Sequence, residues 1–443
     1  MKIYNIFIVI IIFSSHLFCE WNRTLIDDDL EGASIITVAD LNNDGILDVI
    51  ATGHYADAVI WYEAPTWSKH IIDDDLDAAE DVKVHDLDQD GDLDVIVAGS
   101  GADMVVWYEA PDWERHTIDP SIDGVSHIWI ADINNDNSPD VLAAAFHSDE
   151  IVWYESPQWS KHNIDSNFDG AEDIAAFDID NDGDIDVVAT AWNSNKVVWY
   201  EAPNWIEHVV DQNFSQAYRL FIADIDNDDD LDIIASGWDA DEISWYENPS
   251  WTKQIIDAEI DGPQGIFAED IDNDGDIDVA AVASFTDAVY WYEAPDWTRH
   301  LIDNDIDAAH DVFVSDIDND GYYEILATGV DANIVALYKR SPLGFGNNTL
   351  EDPDEIQLSN YPNPFNPSTT IYYSLPYENE ERVNISIFNL KGQKKHQFSI
   401  CSNQSSIVWD GTNQSGKPLP SGIYLCCLNS GKQQITKKII FLK

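Results

Sequence analysis

Short apolar runs alternate with acidic, Gly-containing or Pro-containing turns from residue 21 to residue 340, the pattern of β-strands joined by tight connections. In one representative stretch the runs are Asp81 to Asp86, Leu93 to Ala98, Met104 to Glu109 and Glu114 to Asp119. They are apolar on both faces, as expected of strands covered on both sides. The group of four recurs. An aspartate opens an acidic run at Asp40, Asp86, Asp132, Asp178, Asp224, Asp270 and Asp316, a constant step of 46 residues. A Trp-Tyr pair keeps the same step at Trp61, Trp107, Trp153, Trp199, Trp245 and Trp291, and decays to Leu337-Tyr338 in the last copy. A second Trp opens a short run that in most copies holds a basic residue and His, at Trp67, Trp113, Trp159, Trp205, Trp251 and Trp297, with Trp21 one period upstream.

Four strands in about 45 residues, repeated seven times, is the size of a propeller blade. The expected fold class is all-β, a seven-bladed β-propeller with a second, smaller C-terminal β-sandwich domain. The seventh copy stops at Lys339-Arg340 without its fourth run, and Trp21 to Asp27 matches the missing strand. That segment is expected to complete the seventh blade and close the ring without an unpaired inner edge. The repeated Trp and Tyr read as packing between blades, and His70, His116, His162, His208 and His300 share their scaffold register.

Charge divides the chain. Residues 20–340 hold 76 of the 84 acidic side chains, whereas residues 341–443 hold 8 acidic and 9 basic ones. The predicted organisation is a signal peptide over 1–19, the propeller over 20–340, a linker over 341–357 and a sorting domain over 358–443. The first segment has a charged start, an apolar run from Ile6 to Phe13 and small residues after it, too short to span a bilayer; no transmembrane segment is expected once it is removed. A surface this acidic repels phosphate backbones and anionic lipids, so nucleic acid is excluded as a partner and cations are favoured. Of the cysteines beyond the signal, only one of Cys426 and Cys427 can readily face Cys401 for a disulfide.

Between the first and second strand of each repeat runs D-x-[DN]-x-D-G-x-x-[DE]. Alternate side chains at positions 1, 3 and 5 can converge on one centre, Gly at 6 permits the turn, and an acid at 9 closes an oxygen cage suited to Ca²⁺. The candidate ligands are Asp40, Asn42, Asp44 and Asp48; Asp86, Asp88, Asp90 and Asp94; Asp132, Asn134, Asp136 and Asp140; Asp178, Asp180, Asp182 and Asp186; Asp224, Asp226, Asp228 and Asp232; Asp270, Asp272, Asp274 and Asp278; and Asp316, Asp318, Asp320 and Glu324. Up to seven Ca²⁺ are expected. The third loop, with Asn134, Asn137 and Pro139, is expected to be the weakest, and the fifth has Asp229 in place of Gly.

These repeats resemble the FG-GAP/VCBS family of extracellular propellers, of which the integrin α-subunit head is a member. The resemblance covers residues 21–340 and implies calcium in the loops; it implies no ligand. The tail carries Tyr361-Pro362-Asn363-Pro364-Phe365-Asn366-Pro367, a late Gly422-Ile423-Tyr424 and a basic, apolar end, and is similar to the type IX (Por) secretion-system sorting domain. Passage through the type IX machinery to an extracellular or outer-membrane-surface location is implied.

Positions that vary between blades are where a ligand can be selected. On the face opposite the acidic loops, Phe146, His147, Trp192, Trp238 and Phe285 fall in aligned loop positions. Turns between blades are expected to add His127, Tyr218, Arg219 and His310, beside Glu80-Asp81, Glu172-Asp173 and Asp311. No nucleophile elbow, metalloprotease helix or phosphate loop appears, so the leading expectation is a non-enzymatic binding or adhesion module for a glycan or an extracellular protein. The alternatives are a polysaccharide lyase or dehydratase on the same scaffold, and a structural spacer.

Overall fold

The computed structural model describes residues 21–340, 357–361, 369–374, 384–389, 391–399, 406–415, 417–429 and 434–441. The expected signal peptide, the linker as far as residue 356, and Cys401 lie outside the described residues. The chain forms two compact units, one spanning 22–339 and one holding the C-terminal segments.

The first unit is seven four-stranded antiparallel sheets, or blades. Blades 1 to 6 occupy residues 33–73, 79–119, 125–165, 171–211, 217–257 and 263–303 in simple strand order. Blade 7 takes Ala309–Ser315, Glu324–Gly329 and Ile334–Arg340 and is completed by Trp21–Asp27. Each innermost strand packs on that of the next blade, and the innermost strand of blade 7 packs on that of blade 1, so the array is a closed ring. The described part of the chain is therefore a β-propeller followed by a β domain, as the periodicity predicts.

The second strand of every blade, such as Asp94–Gly99 (DVIVAG), is buried along its whole length. It lies between adjacent blades, which is why the runs are apolar on both faces. The Tyr of each Trp-Tyr pair is buried and donates its hydroxyl to the Asp that ends the preceding blade's outer strand: Tyr108 to Asp73 at 2.7 Å and Tyr154 to Asp119 at 2.7 Å are examples. At the closure Tyr62 donates to Asp27 at 2.6 Å, tying blade 1 to the N-terminal strand of blade 7. Hydrogen bonds to a charged group contribute about 1.5–3 kcal/mol each, and this one recurs at every junction. The histidines do occupy a scaffold position, with His70, His162, His208 and His300 stacked on Trp61, Trp153, Trp199 and Trp291 at 4.2–4.5 Å.

The C-terminal unit has a three-stranded sheet (Gln357–Tyr361, Thr369–Ser374, Ser406–Trp409) and a four-stranded sheet ordered Lys394–Ser399, Asn384–Asn389, Gly422–Asn429, Gln434–Phe441. Both feed one core that includes Ile371, Tyr373, Ile387, Trp409, Cys426 and Phe441. Gln357, expected at the end of a linker, instead opens a strand paired with Ser374.

Candidate functional site

Each acidic loop joins the first and second strands of its blade and is shaped by its own carboxylates. In blade 4, Asp178 accepts the N–H groups of Asp182 and Gly183 at 3.0 and 3.1 Å, Asp180 accepts that of Asp182, and Asp182 accepts that of Asp184. The sixth residue sits in the left-handed region, φ 98° for Gly183, and Asp229 and Asn137 hold the same conformation at φ 76° and 68°, which Asp and Asn tolerate best after Gly. The ninth-position acid is buried and clamps two segments: Asp186 accepts Ala202 N–H at 2.8 Å and Ile179 N–H at 3.3 Å. Burial raises these acids, to about 6 for Asp94, Asp140 and Asp186 and to about 7 for Asp232, Asp278 and Glu324.

Five loops bring three carboxylates within 4.8 Å of one another: Asp86, Asp88 and Asp90; Asp178, Asp180 and Asp186; Asp224, Asp226 and Asp232; Asp270, Asp272 and Asp274; and Asp316, Asp318 and Asp320. These are all-oxygen donor sets able to hold a hard cation. The loops at Asp40 and Asp132 have Asn42 and Asn134 at position 3, yet keep the same internal hydrogen bonds. Their backbone shape is intact and only their charge is lower.

Two neighbours of these loops escaped the sequence reading. The residue after each Trp-Tyr pair is Glu in blades 1 to 6, and Glu63 lies 3.4 Å from Asn42 at loop position 3. Its orientation is fixed by His70, whose Nε2 is 3.0 Å from Glu63; Glu155, Glu201 and Glu293 are held the same way by His162, His208 and His300. In blade 7 the aligned residue is Lys339, whose ammonium sits 2.6 Å from Asp318. The seventh loop thus carries a cation of its own. The 46-residue alignment of Glu63, Glu109, Glu155, Glu201, Glu247, Glu293 and Lys339 contained this signal.

On the opposite end of the strands, Glu80-Asp81, His127, Glu172-Asp173, Tyr218-Arg219 and His310-Asp311 lie in the innermost strands and not in turns between blades. The reason is a β-bulge at that point in every innermost strand, for example between Ala79 and Val82 and between Ala217 and Leu220. The extra residue lets two successive side chains face the axis: Glu80 and His310 line an outer cavity, and Asp81, Arg219 and Asp311 an inner one. His127 and Arg219 are buried, so neither is a surface contact residue. His310 approaches Tyr218 Oη at 3.3 Å through Nε2 and Ser34 Oγ at 3.4 Å through Nδ1. Burial, reinforced by the Arg219 charge, lowers His310 to about 4 and keeps it neutral. Glu80 resists burial and is held below its usual range by His54, His310 and Arg219; His54 Nδ1 is 2.6 Å away.

The loop aromatics form an arc. Tyr218 meets Trp192 edge-on at 5.5 Å, Trp192 packs on Trp238 at 5.2 Å, and Trp238 on Phe285 at 4.8 Å. Phe285 is 57% exposed. Phe146 pairs instead with exposed His147, which lies 3.5 Å from Asp123. Ser34 and Gln264, absent from the sequence-level candidates, join His310 at the outer cavity; they share a 46-residue register with Glu80, Glu172 and Tyr218.

Comparison with known families matches the FG-GAP-like repeat over residues 86–143, 132–189 and 178–235, and the secretion system C-terminal sorting domain over residues 359–442. The propeller carries FG-GAP-like repeats, and the C-terminal unit is a secretion-system sorting domain. That sorting domain directs it through the type IX system to the cell surface or the extracellular space. No curated protein matches the sequence. Among solved structures, BBS1N in complex with ARL6DN has a TM-score of 0.54 at 9% identity over 74% of this chain and 98% of that one, a likeness of fold alone. The nidogen/laminin complex (TM-score 0.42, 8% identity, 60% and 92% covered) and PorZ of the type IX secretion system of Porphyromonas gingivalis (0.36, 10%, 89% and 74%) are more distant. The ring has one end built from near-identical acidic loops and another whose aligned positions vary between blades.

Proposed function

We propose that this FG-GAP propeller is a calcium-braced, non-enzymatic binding module displayed outside the cell, engaging a glycan or protein through the end opposite its acidic loops. Calcium is assigned to Asp, Asn and Glu at positions 1, 3, 5 and 9, with the Glu that follows the Trp-Tyr pair nearby, held by a His in blades 1 to 4 and 6. Bound there, the ion neutralises carboxylates that otherwise repel one another, and stiffens the loop between two strands. The observation that carries the binding reading is the contrast between ends. The acidic loops repeat one hydrogen-bond pattern in every blade, while Tyr218, Trp192, Trp238 and Phe285 form a single continuous arc beside an axial cavity. Binding of the calcium-loaded chain to glycan and extracellular-protein arrays tests it: Trp192→Ala with Trp238→Ala is expected to lower the signal at least tenfold. Array binding unchanged in that double variant overturns the assignment of this face.

The contact between Tyr218 Oη and neutral His310 Nε2, with Arg219 5.2 Å over the Tyr218 ring, favours lyase or dehydratase chemistry as a second reading, since it pairs a proton acceptor with a donor beside a cation. Release of an unsaturated product from acidic polysaccharides, lost in His310→Ala, supports that reading; no product in calcium-loaded wild type removes it.

A further inference from the structure

The acidic loops are joined to one another by a residue that is not itself acidic. Position 4 of the loop, between the candidate ligands at 3 and 5, is Asn in six blades and Gln89 in blade 2. All seven hold the left-handed conformation, at φ between 55° and 61°. Gly fits that backbone best, and Asp tolerates it about as well as Asn. In loops otherwise crowded with Asp, position 4 is neither Gly nor Asp in any blade. Gln is not among the residues that favour this conformation, and Gln89 has only the amide in common with the other six. What the position keeps is a neutral N–H donor, which a carboxylate cannot supply.

The donor reaches forward to the next blade. Asn43, Asn135 and Asn181 donate to the position-7 carboxylates of Asp92, Asp184 and Asp230 at 3.3, 3.5 and 3.3 Å. Gln89, Asn227 and Asn273 donate to the position-6 carbonyls of Asn137, Gly275 and Gly321 at 2.7, 3.2 and 3.2 Å. Six junctions in succession, from blade 1 to blade 7, carry the bond.

Both ends of each bond are tied to candidate ligands. In the donating loop the peptide joining positions 4 and 5 is gripped by positions 1 and 3: Asp182 N–H donates to Asp178 and Asp180 at 3.0 and 3.1 Å. In the receiving loop the position-7 N–H donates to the position-5 carboxylate, as Asp276 does to Asp274 at 3.0 Å and Tyr322 to Asp320 at 2.9 Å. In blades 3, 6 and 7 the carbonyl that accepts the incoming amide belongs to that same planar peptide group. In blades 2, 4 and 5 the accepting carboxylate and the donating N–H belong to one residue. Fixing the carboxylates of one loop on an ion therefore fixes its amide, and the amide fixes the segment of the next loop whose position-7 carbonyl completes the oxygen cage.

We propose that these amides are positioning residues that couple the loops, so that ion binding in one blade raises the affinity of the loop in the next. The proposal rests on the reading of the loops as calcium sites. Ordering already met by one ion is not charged again to its neighbour, and the coupling acts equally in both directions. One net hydrogen bond corresponds to about two- to tenfold in an equilibrium constant.

Calcium isotherms of the full chain by equilibrium dialysis test it, at about 0.15 M salt, where repulsion between ions on separate blades is largely screened. Asn135→Gly, Asn181→Gly and Asn227→Gly in one chain cut the junctions on both sides of blades 4 and 5. Gly eases the positive φ, so this variant removes the donor without straining the loop. It is expected to bind as many ions as wild type, with a shallower isotherm and a midpoint raised about two- to tenfold. Gln at the same three positions is expected to restore the slope, as Gln89 supplies the bond in blade 2. Slope and midpoint unchanged in the Gly variant, fewer ions bound by it, or a Gln variant indistinguishable from it overturns the coupling and leaves the calcium reading standing. No calcium uptake by wild type overturns the calcium reading, and the coupling with it.

Discussion

Removing calcium is expected to lower the melting temperature of the ring by about 20 °C. Five loops each place three carboxylates within 4.8 Å of one another. At that separation in high dielectric, each like-charged pair costs about 0.9 kcal/mol, and the ion that relieves it binds only the folded loop. With free calcium a hundredfold above the site Kd, each site adds about 2.7 kcal/mol, so five add about 13 kcal/mol. That equals the whole stability of many domains, about 5–15 kcal/mol. For a ring of about 320 residues the unfolding entropy is about 0.7 kcal/mol/K, and the quotient is the stated shift. Calorimetry of the full chain in free calcium held about a hundredfold above the loops' Kd, against excess chelator, measures it, with metal content of the chelated sample verified. A difference under about 2 °C on metal-free protein refutes the assignment, because loops that stabilise by ion binding cannot be insensitive to the ion.

Lys339→Glu restores in blade 7 the residue found in the other six and removes the ammonium from Asp318; calcium stoichiometry by equilibrium dialysis is expected to rise by about one ion, or the seventh site to tighten at least tenfold. Tyr154→Phe deletes the donor to buried Asp119 and is expected to cost about 1.5–3 kcal/mol in chemical denaturation at constant calcium. Glu172 is buried and pushed up to about 8, with Arg219 opposing. Its folded pKa lies above the unfolded value, so its contribution is complete below about 4.5 and is lost as pH rises through 8. Glu172→Gln is therefore expected to gain stability relative to wild type between pH 5 and 8.5, and parallel melting profiles over that range count against the shift. Deleting residues 358–443 is expected to abolish surface exposure, measured by whole-cell protease accessibility.

The propeller was legible because its period survives every substitution: Asp at each loop start, Tyr at each junction, and a Trp21–Asp27 strand that fits the gap left by blade 7. The axial residues were harder to place. Sequence alternation assigns Glu80 and Asp81 to opposite faces or to a turn, and only the bulge between Ala79 and Val82 turns both inward. Lys339 was hidden for a different reason. It reads as the end of a decaying repeat, and its pairing with Asp318 depends on the third strand lying beside the loop. The aromatic loop positions were found by alignment, but their separation into an arc from Tyr218 to Phe285 and an isolated Phe146–His147 pair is a matter of packing.

The freedom of the axial positions follows from how the ring is held. Tyr–Asp bonds secure each junction near the outer strands, and Thr or Ser hydroxyls add inner bonds, such as Thr52 to the Glu80 carbonyl and Ser236 to the Gln264 carbonyl. Aspartates at the inner axial tier accept an amide of the next blade at three junctions, through Asp81, Asp173 and Asp311. At the same tier blades 3 and 5 carry His127 and Arg219, whose side chains make no such bond. Gly265 is explained by space alone, since a Cβ there would lie 2.7 Å from Asp311 Cα. The guanidinium at 219 is explained by charge: it stands among Asp81, Asp173 and Asp311, which favour its protonated form, and it opposes the upward shift that burial imposes on Glu172, Asp173 and Asp311. An aspartate there would add a fourth carboxylate to that tier, so the cation that interrupts the run of aspartates offsets the cost of its own burial by relieving their mutual repulsion.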